Sequence, residues 1–205
     1  GRSVRADSSV AEGARLQLHH EFRRPFFYGM DTLCDAGSEN AEQFLRLAAD
    51  LVDRSETLII RDKNYTLSPK VQHDLLHQRA NAIITEWNFP LHPQVRLLCD
   101  AIGEVCKERS MQESAPLGAG ANSIGILEDE FSRIPETYPQ LARVLQFGVA
   151  YNAFSLVRNR VVKDRKWCLI ELSGVLAIHF GLTLQRGGFV EWNLRALTDA
   201  IRAPA

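Results

Sequence analysis

No run in this sequence approaches the ~20 consecutive apolar residues that span a bilayer, so no membrane-crossing helix is expected. The first residues, Gly1-Arg2-Ser3-Val4-Arg5, lack the apolar core of a signal peptide. No initiator Met is present, which suggests a piece of a longer protein. Neither sign of charge dominates: Lys plus Arg total 24 and Asp plus Glu total 25, for a formal charge of -1. That balance excludes a global electrostatic footprint for nucleic acid or anionic membrane, so any such surface must be local. Cysteine is scarce and scattered at Cys34, Cys99, Cys106 and Cys168, with no Cys-x-x-Cys pair. Buried free thiols and a cytoplasmic location are the expectation, with no membrane partner.

Catalytic signatures are also missing. No Gly-Lys pair occurs, so there is no phosphate loop of the Gly-Lys-Ser/Thr kind. The glycine-rich run Gly118-Ala119-Gly120-Ala121-Asn122-Ser123-Ile124-Gly125 reads as a connector, because residues 111–117 do not look like the buried strand of a dinucleotide fold. No Gly-x-Ser-x-Gly and no recognisable catalytic-cysteine motif is present. The acidic run Glu128-Asp129-Glu130 suits a helix start, where the dipole favours negative charge. No catalytic residue, cofactor or metal is assigned.

What is present is mainly helical patterning. Residues 1–21 are polar and weakly patterned, a flexible or linking segment. An aromatic cluster follows (Phe22, Phe26, Phe27, Tyr28), broken by Pro25 and Gly29, as in an extended segment lying on a core. Ser38 is placed to cap a helix with Phe44, Leu45, Ala48, Leu51 and Val52 on one stripe. Residues 57–61 could extend that helix or form a short strand. Ser68-Pro69 opens another helix, with Val71, Leu75, Leu76, Ile83, Ile84 and Trp87 on its buried face. After Pro93, the residues Val95, Leu98, Cys99, Ile102, Val105 and Cys106 make the cleanest amphipathic stripe.

The elements expected beyond are a loop over 114–123, a short strand at 124–127, a short helix at 128–134 and a longer helix at 138–152. A strand at 154–162 then turns at Lys163-Asp164 into a strand at 167–170. Gly181 stops a buried helix, and Asn193 caps a last one. Helix, short strand, short helix, helix, strand, turn, strand is the element order of a winged helix-turn-helix. The expected fold is therefore mainly α with a small β-hairpin.

Two clusters offer chemistry. His73 and His77 stand one turn apart on one helix, a spacing that can hold zinc. Asp74 is too short for the metalloprotease glutamate role and no third ligand is evident, so two solvated histidines are expected. The hairpin gathers Arg158, Arg160, Lys163, Arg165 and Lys166 against Asp164 alone. Strand alternation puts Arg158 and Arg160 on one face. Such a wing could lie against duplex DNA phosphates, with Asn159 reaching a groove. It could equally be a solvated hairpin whose charges prevent edge association. The preceding helix offers Gln140, Arg143, Gln146 and Asn152 but few cations, which favours protein binding instead. Trp87, Trp167 and Trp192 are packing anchors.

Tyr28-Gly29-Met30-Asp31-Thr32-Leu33, followed by Ala36-Gly37-Ser38-Glu39-Asn40-Ala41-Glu42-Gln43-Phe44-Leu45, resembles the end of the lid in bacterial AAA+ ATPases of the origin-recognition-initiator type. His179-Phe180-Gly181-Leu182 with Gly187-Gly188 is similar to the end of that family's terminal module. The resemblance implies a lid-like region at 22–90 and a winged-helix-like domain at 91–205. It implies a partner in the ATPase portion or another protein subunit, or DNA. A lid arginine that senses nucleotide is not carried over, because Glu39-Asn40-Ala41-Glu42-Gln43 contains none before Arg46. The nucleotide-binding elements of such ATPases would lie upstream. A non-catalytic module engaging DNA or protein is thus the first expectation. An assembly module without DNA binding is the second, and a small enzyme or metal site around His73 and His77 the third.

Overall fold

The computed structural model describes residues 8–38, 40–112, 120–185 and 188–202; Glu39 and most of the expected 114–123 loop lie outside them. The described chain is mainly helical, with one four-stranded mixed sheet.

The N-terminal region is built from four helices. α1 (Ser8–Phe22) forms where the weak pattern suggests a linking segment. Its anchor is Leu16, 1% exposed, helped by Arg15 donating to the Phe26 carbonyl at 3.1 Å. Leu16 is the one buried residue among those of α1 whose side chains are described, which leaves little periodicity to read. Of the aromatic cluster, Phe26 and Phe27 are buried as expected, whereas Phe22 ends α1 and is 65% exposed. α2 (Met30–Ala36) then begins earlier than any expected helix.

Ser38 does not cap the next helix. Asn40 does, accepting from the Gln43 amide at 3.1 Å, and Ser38 instead accepts from the Gly174 amide at 2.6 Å. α3 (Ala41–Ile60) continues through 57–60, so that segment is helix rather than strand. α4 (Pro69–Thr85) starts as expected, with the Ser68 hydroxyl accepting from the Val71 amide at 3.4 Å.

From residue 92 the order is α5 (His92–Met111), β1 (Ala121–Leu127), α6 (Glu128–Ser132), α7 (Ile134–Thr137), α8 (Pro139–Ala150), β2 (Phe154–Val162) and β3 (Arg165–Leu172). α9 (Gly174–Phe180) ends at Gly181, which takes the left-handed conformation (φ 68°) that closes a helix without a Cβ clash. β4 (Gly188–Glu191) and α10 (Leu194–Ala200) follow, the latter capped by Asn193 through the Ala196 amide at 2.9 Å. The sheet order is β2-β3-β1-β4. β3 pairs antiparallel with both β1 and β2, and β4 adds parallel to β1, an edge the sequence pattern does not suggest.

One buried cluster crosses the boundary expected near residue 90. Leu47, Leu76 and Ile84 lie in the same core as Ile102, Ile124, Val175 and Ile178. Each fully buried side chain of this kind contributes roughly 1.5–3 kcal/mol. The close approach of α9 to α2 depends on Gly174, where a Cβ would lie 2.2 Å from the Ala36 carbonyl oxygen. Of the four thiols, Cys99, Cys106 and Cys168 are buried as expected and Cys34 is exposed. Burial pushes the Cys106 and Cys168 thiols up to about 12, so they stay protonated.

Candidate functional site

The hairpin carrying the expected cations is closed by Lys163 and Asp164 between the paired residues Val162 and Arg165. Both turn residues have positive φ, 47° and 61°. Two-residue hairpin loops favour that left-handed pair because it matches the right-handed twist of the strands.

Alternation does not hold across Arg158-Asn159-Arg160. The β2–β3 register jumps between Val157, opposite Leu169, and Arg160, opposite Trp167, so Arg158 and Asn159 together face Cys168. Asn159 takes φ 57° in this bulge. Cross-strand partners share a face, so Arg160 lies on the Trp167 face and Arg158 on the opposite, Cys168 face. The expectation of two arginines side by side is corrected by one extra residue.

Arg158 is held against the body of the protein. It pairs with Glu128, reaches the Ser132 hydroxyl at 3.2 Å and lies 5.0 Å from the centre of the Phe131 ring. The Asn159 amide donates to Glu128 at 2.8 Å, so Asn159 also faces inward through its backbone. Burial raises the Glu128 carboxyl, but the Arg158 guanidinium and the Asn159 amide outweigh it and hold the group below its ordinary range.

The remaining cations, Arg160, Lys163, Arg165 and Lys166, are exposed, and none forms an ion pair among the described residues. Arg160 and Arg165 share the Trp167 face, Lys166 lies on the other, and Lys163 sits at the tip. They flank the end of the hairpin rather than forming a flat patch.

Beside the hairpin, α8 exposes Gln140, Arg143 and Gln146. Asn152 is not on that surface. It lies past the helix end with its carbonyl accepting from Gln43 at 3.2 Å. Along α8 runs an apolar groove of about 480 Å³ lined by Phe131, Ile134, Pro135, Leu145, Val149 and Leu156, among others.

A second cluster was half legible in the sequence. His73 and His77 are half-buried, not solvated, because α1 lays His19 over them. One ligand-capable nitrogen from each of the three lies within 4.8 Å of the others. Burial, then the neighbouring imidazoles, pushes His73 and His77 down to about 4, so both rings are neutral near pH 7. His19 was missed because nothing local marks it: it lies 54 positions from His73 on a weakly patterned helix. The only sequence signal was the nearby Phe26-Phe27 pair. Phe27 packs against all three imidazoles, and Phe26 stacks on His19.

No described helix is long and apolar enough to cross a membrane. Comparison with family models, curated proteins and solved structures returned no match to this chain.

Proposed function

We propose that this chain is a non-catalytic, winged-helix-like module that engages duplex DNA through the β2–β3 hairpin, as part of an AAA+ ATPase of the origin-recognition-initiator type. The observation that carries DNA contact is the set of exposed hairpin cations Arg160, Lys163, Arg165 and Lys166, which form no ion pair among the described residues. The arrangement of α5, β1, α6 to α8, β2 and β3, with sheet order β2-β3-β1, supports the winged-helix assignment. The lid-like motifs from Tyr28 to Leu45 support the ATPase context.

Unpaired cations beside a phosphate backbone release condensed counterions, so affinity falls with salt at a slope of about −0.9 per phosphate contact. Engagement by all of Arg160, Lys163, Arg165 and Lys166 predicts a log–log slope of about −3.6. The cation-poor surface of α8 offers little direct base readout, so affinity should vary little between duplex sequences.

The test is fluorescence anisotropy with a random duplex over a salt series. Replacing the four exposed cations with Ala should abolish binding, whereas Arg158→Ala should lower stability and leave the slope unchanged. Equal affinity for the four-Ala variant and the native chain would remove the hairpin from the DNA proposal. The groove along α8 favours a second reading, docking of an apolar protein segment. A Val149→Glu change, at a residue 42% exposed in the groove, that blocks a partner and spares DNA binding would select it.

A further inference from the structure

We infer that His19, His73 and His77 form a binding site for a divalent transition-metal ion of the zinc class, which ties α1 to α4. Imidazole is a preferred ligand for such ions, and the i, i+4 pair His73 and His77 already places two rings one turn apart on α4. The third ring comes from a different helix, which is what a cross-linking ion requires.

The hydrogen bonds show which nitrogens are free. His19 Nδ1 lies 2.9 Å from the Arg24 carbonyl and must donate to it, which leaves the Nε2 lone pair unprotonated. A backbone carbonyl on the far nitrogen is the usual outer support of a metal-bound imidazole. His77 Nε2 is buried and has no hydrogen-bond partner among the described residues. A buried polar atom without a partner calls for an explanation, and a metal supplies one. His73 differs: its Nδ1 accepts from the Phe27 amide at 3.2 Å and the Phe26 amide at 3.4 Å. Both bonds are long, so ion entry exchanges weak contacts at His73 for a coordinate bond as that ring reorients. His19 and His77 are therefore the principal anchors and His73 the adjustable third ligand.

Tetrahedral nitrogens around an ion at about 2.0–2.1 Å stand roughly 3.4 Å apart, so the rings must close in from their present separation within 4.8 Å. Side-chain rotation provides that movement. Asp74 is not a fourth ligand, since it is exposed and pairs with Lys70 at 2.8 Å. Water fills the fourth position. The ion acts as a cross-link, because its ligands come from both α1 and α4. It strengthens the attachment of a helix otherwise held by Leu16, the Arg15 contact with the Phe26 carbonyl and the His20 contact with the Gly181 carbonyl at 2.7 Å.

The experiment is titration of the chelator-treated full chain with Co2+, followed by Zn2+. A saturable visible absorption at one ion per chain, of tetrahedral intensity and displaced by Zn2+, is expected, along with a higher Tm with Zn2+ that EDTA reverses. His19→Gln and His77→Gln should weaken binding by on the order of a hundredfold or more, and His73→Gln by about tenfold. His20→Gln, beside the cluster but committed to Gly181, should lower the Tm of the metal-free chain and leave Co2+ affinity unchanged. No saturable absorption from the native chain overturns the site, as does affinity unchanged in both His19→Gln and His77→Gln. The native spectrum tests binding whether or not a variant folds, and the variants that fold assign it to the three histidines.

Discussion

α3 and α5 are both 20 residues long, and both show an apolar stripe in sequence, yet the stripes are covered to very different extents. In α5, Val95, Leu98, Cys99, Ile102 and Cys106 are all 0% exposed. In α3 only Gln43 and Leu47 are buried; Phe44, Ala48 and Leu51 are partly buried against the core, and Leu45, Val52 and Ile59, spaced seven apart, are each more than half exposed. The cause is what surrounds them. α5 lies against β1, α8 and α9, which cover it on several sides, whereas α3 packs mainly against α2 and α4. Periodicity specifies which face of a helix is apolar. It does not specify whether that face is covered.

The largest effect that would sharpen this contrast is truncation of equivalent stripes. Ile102→Ala should cost about 2–5 kcal/mol, and Val52→Ala less than about 1 kcal/mol, in urea unfolding. Similar costs for the two would mean that α3 is covered in solution. A somewhat smaller effect is expected at the seam between the two regions. Gly174→Ala drives a methyl into the Ala36 carbonyl and should cost roughly 1–3 kcal/mol. If the regions fold as one unit, fluorescence and far-UV circular dichroism midpoints should fall together. Loss of one signal alone would break the shared-core picture.

The regions should also separate by pH. His73 and His77 are held below their ordinary value by burial and by neighbouring imidazoles, with Lys70 adding to this at His73 and His179 at His77, against the opposing charge of Asp74. The unfolded chain therefore takes up protons before the folded one. Stability associated with these rings is complete above about pH 6.5 and is lost as pH falls towards about 4. The loss should be on the order of 1 kcal/mol after allowance for partial exposure. Glu128 behaves later on the same path: its depressed carboxyl stabilises the fold above the ordinary glutamate range, and that contribution disappears only as pH falls through the lower folded value. In chelator, a His73→Gln/His77→Gln double variant should flatten the pH dependence of Tm between 6.5 and 4. An Arg158→Ala variant should change it only at more acid pH. An identical Tm profile for the native chain and the histidine variant would contradict the burial account.

How much of the site was legible follows the same division. The positions of the hairpin cations and their turn could be read, because Lys163-Asp164 interrupts two β-favouring runs. The bulge at Asn159 could not. It depends on Glu128, 31 residues earlier, accepting the Asn159 amide and gripping Arg158. That partner turns one of the five expected cations into a brace. Ser38 is a comparable case: its hydroxyl can cap a helix, but the Gly174 amide engages it and Asn40 takes the capping role.

By itself the sequence determined the starts at Ser68-Pro69 and Asn193, the stop at Gly181, the apolar face of α5 and the place of the hairpin. Each depends on capping, φ preference or periodicity acting within a few residues. Only the tertiary structure decided the parallel pairing of the four-residue β4 with β1, the splitting of the hairpin cations between two faces, the full covering of α5 against the partial covering of α3, and the meeting of His19 with His73 and His77. Those outcomes require groups far apart in the chain to converge. Their energy comes from burial and pairing shared among many residues, which leaves no mark on any short stretch of sequence.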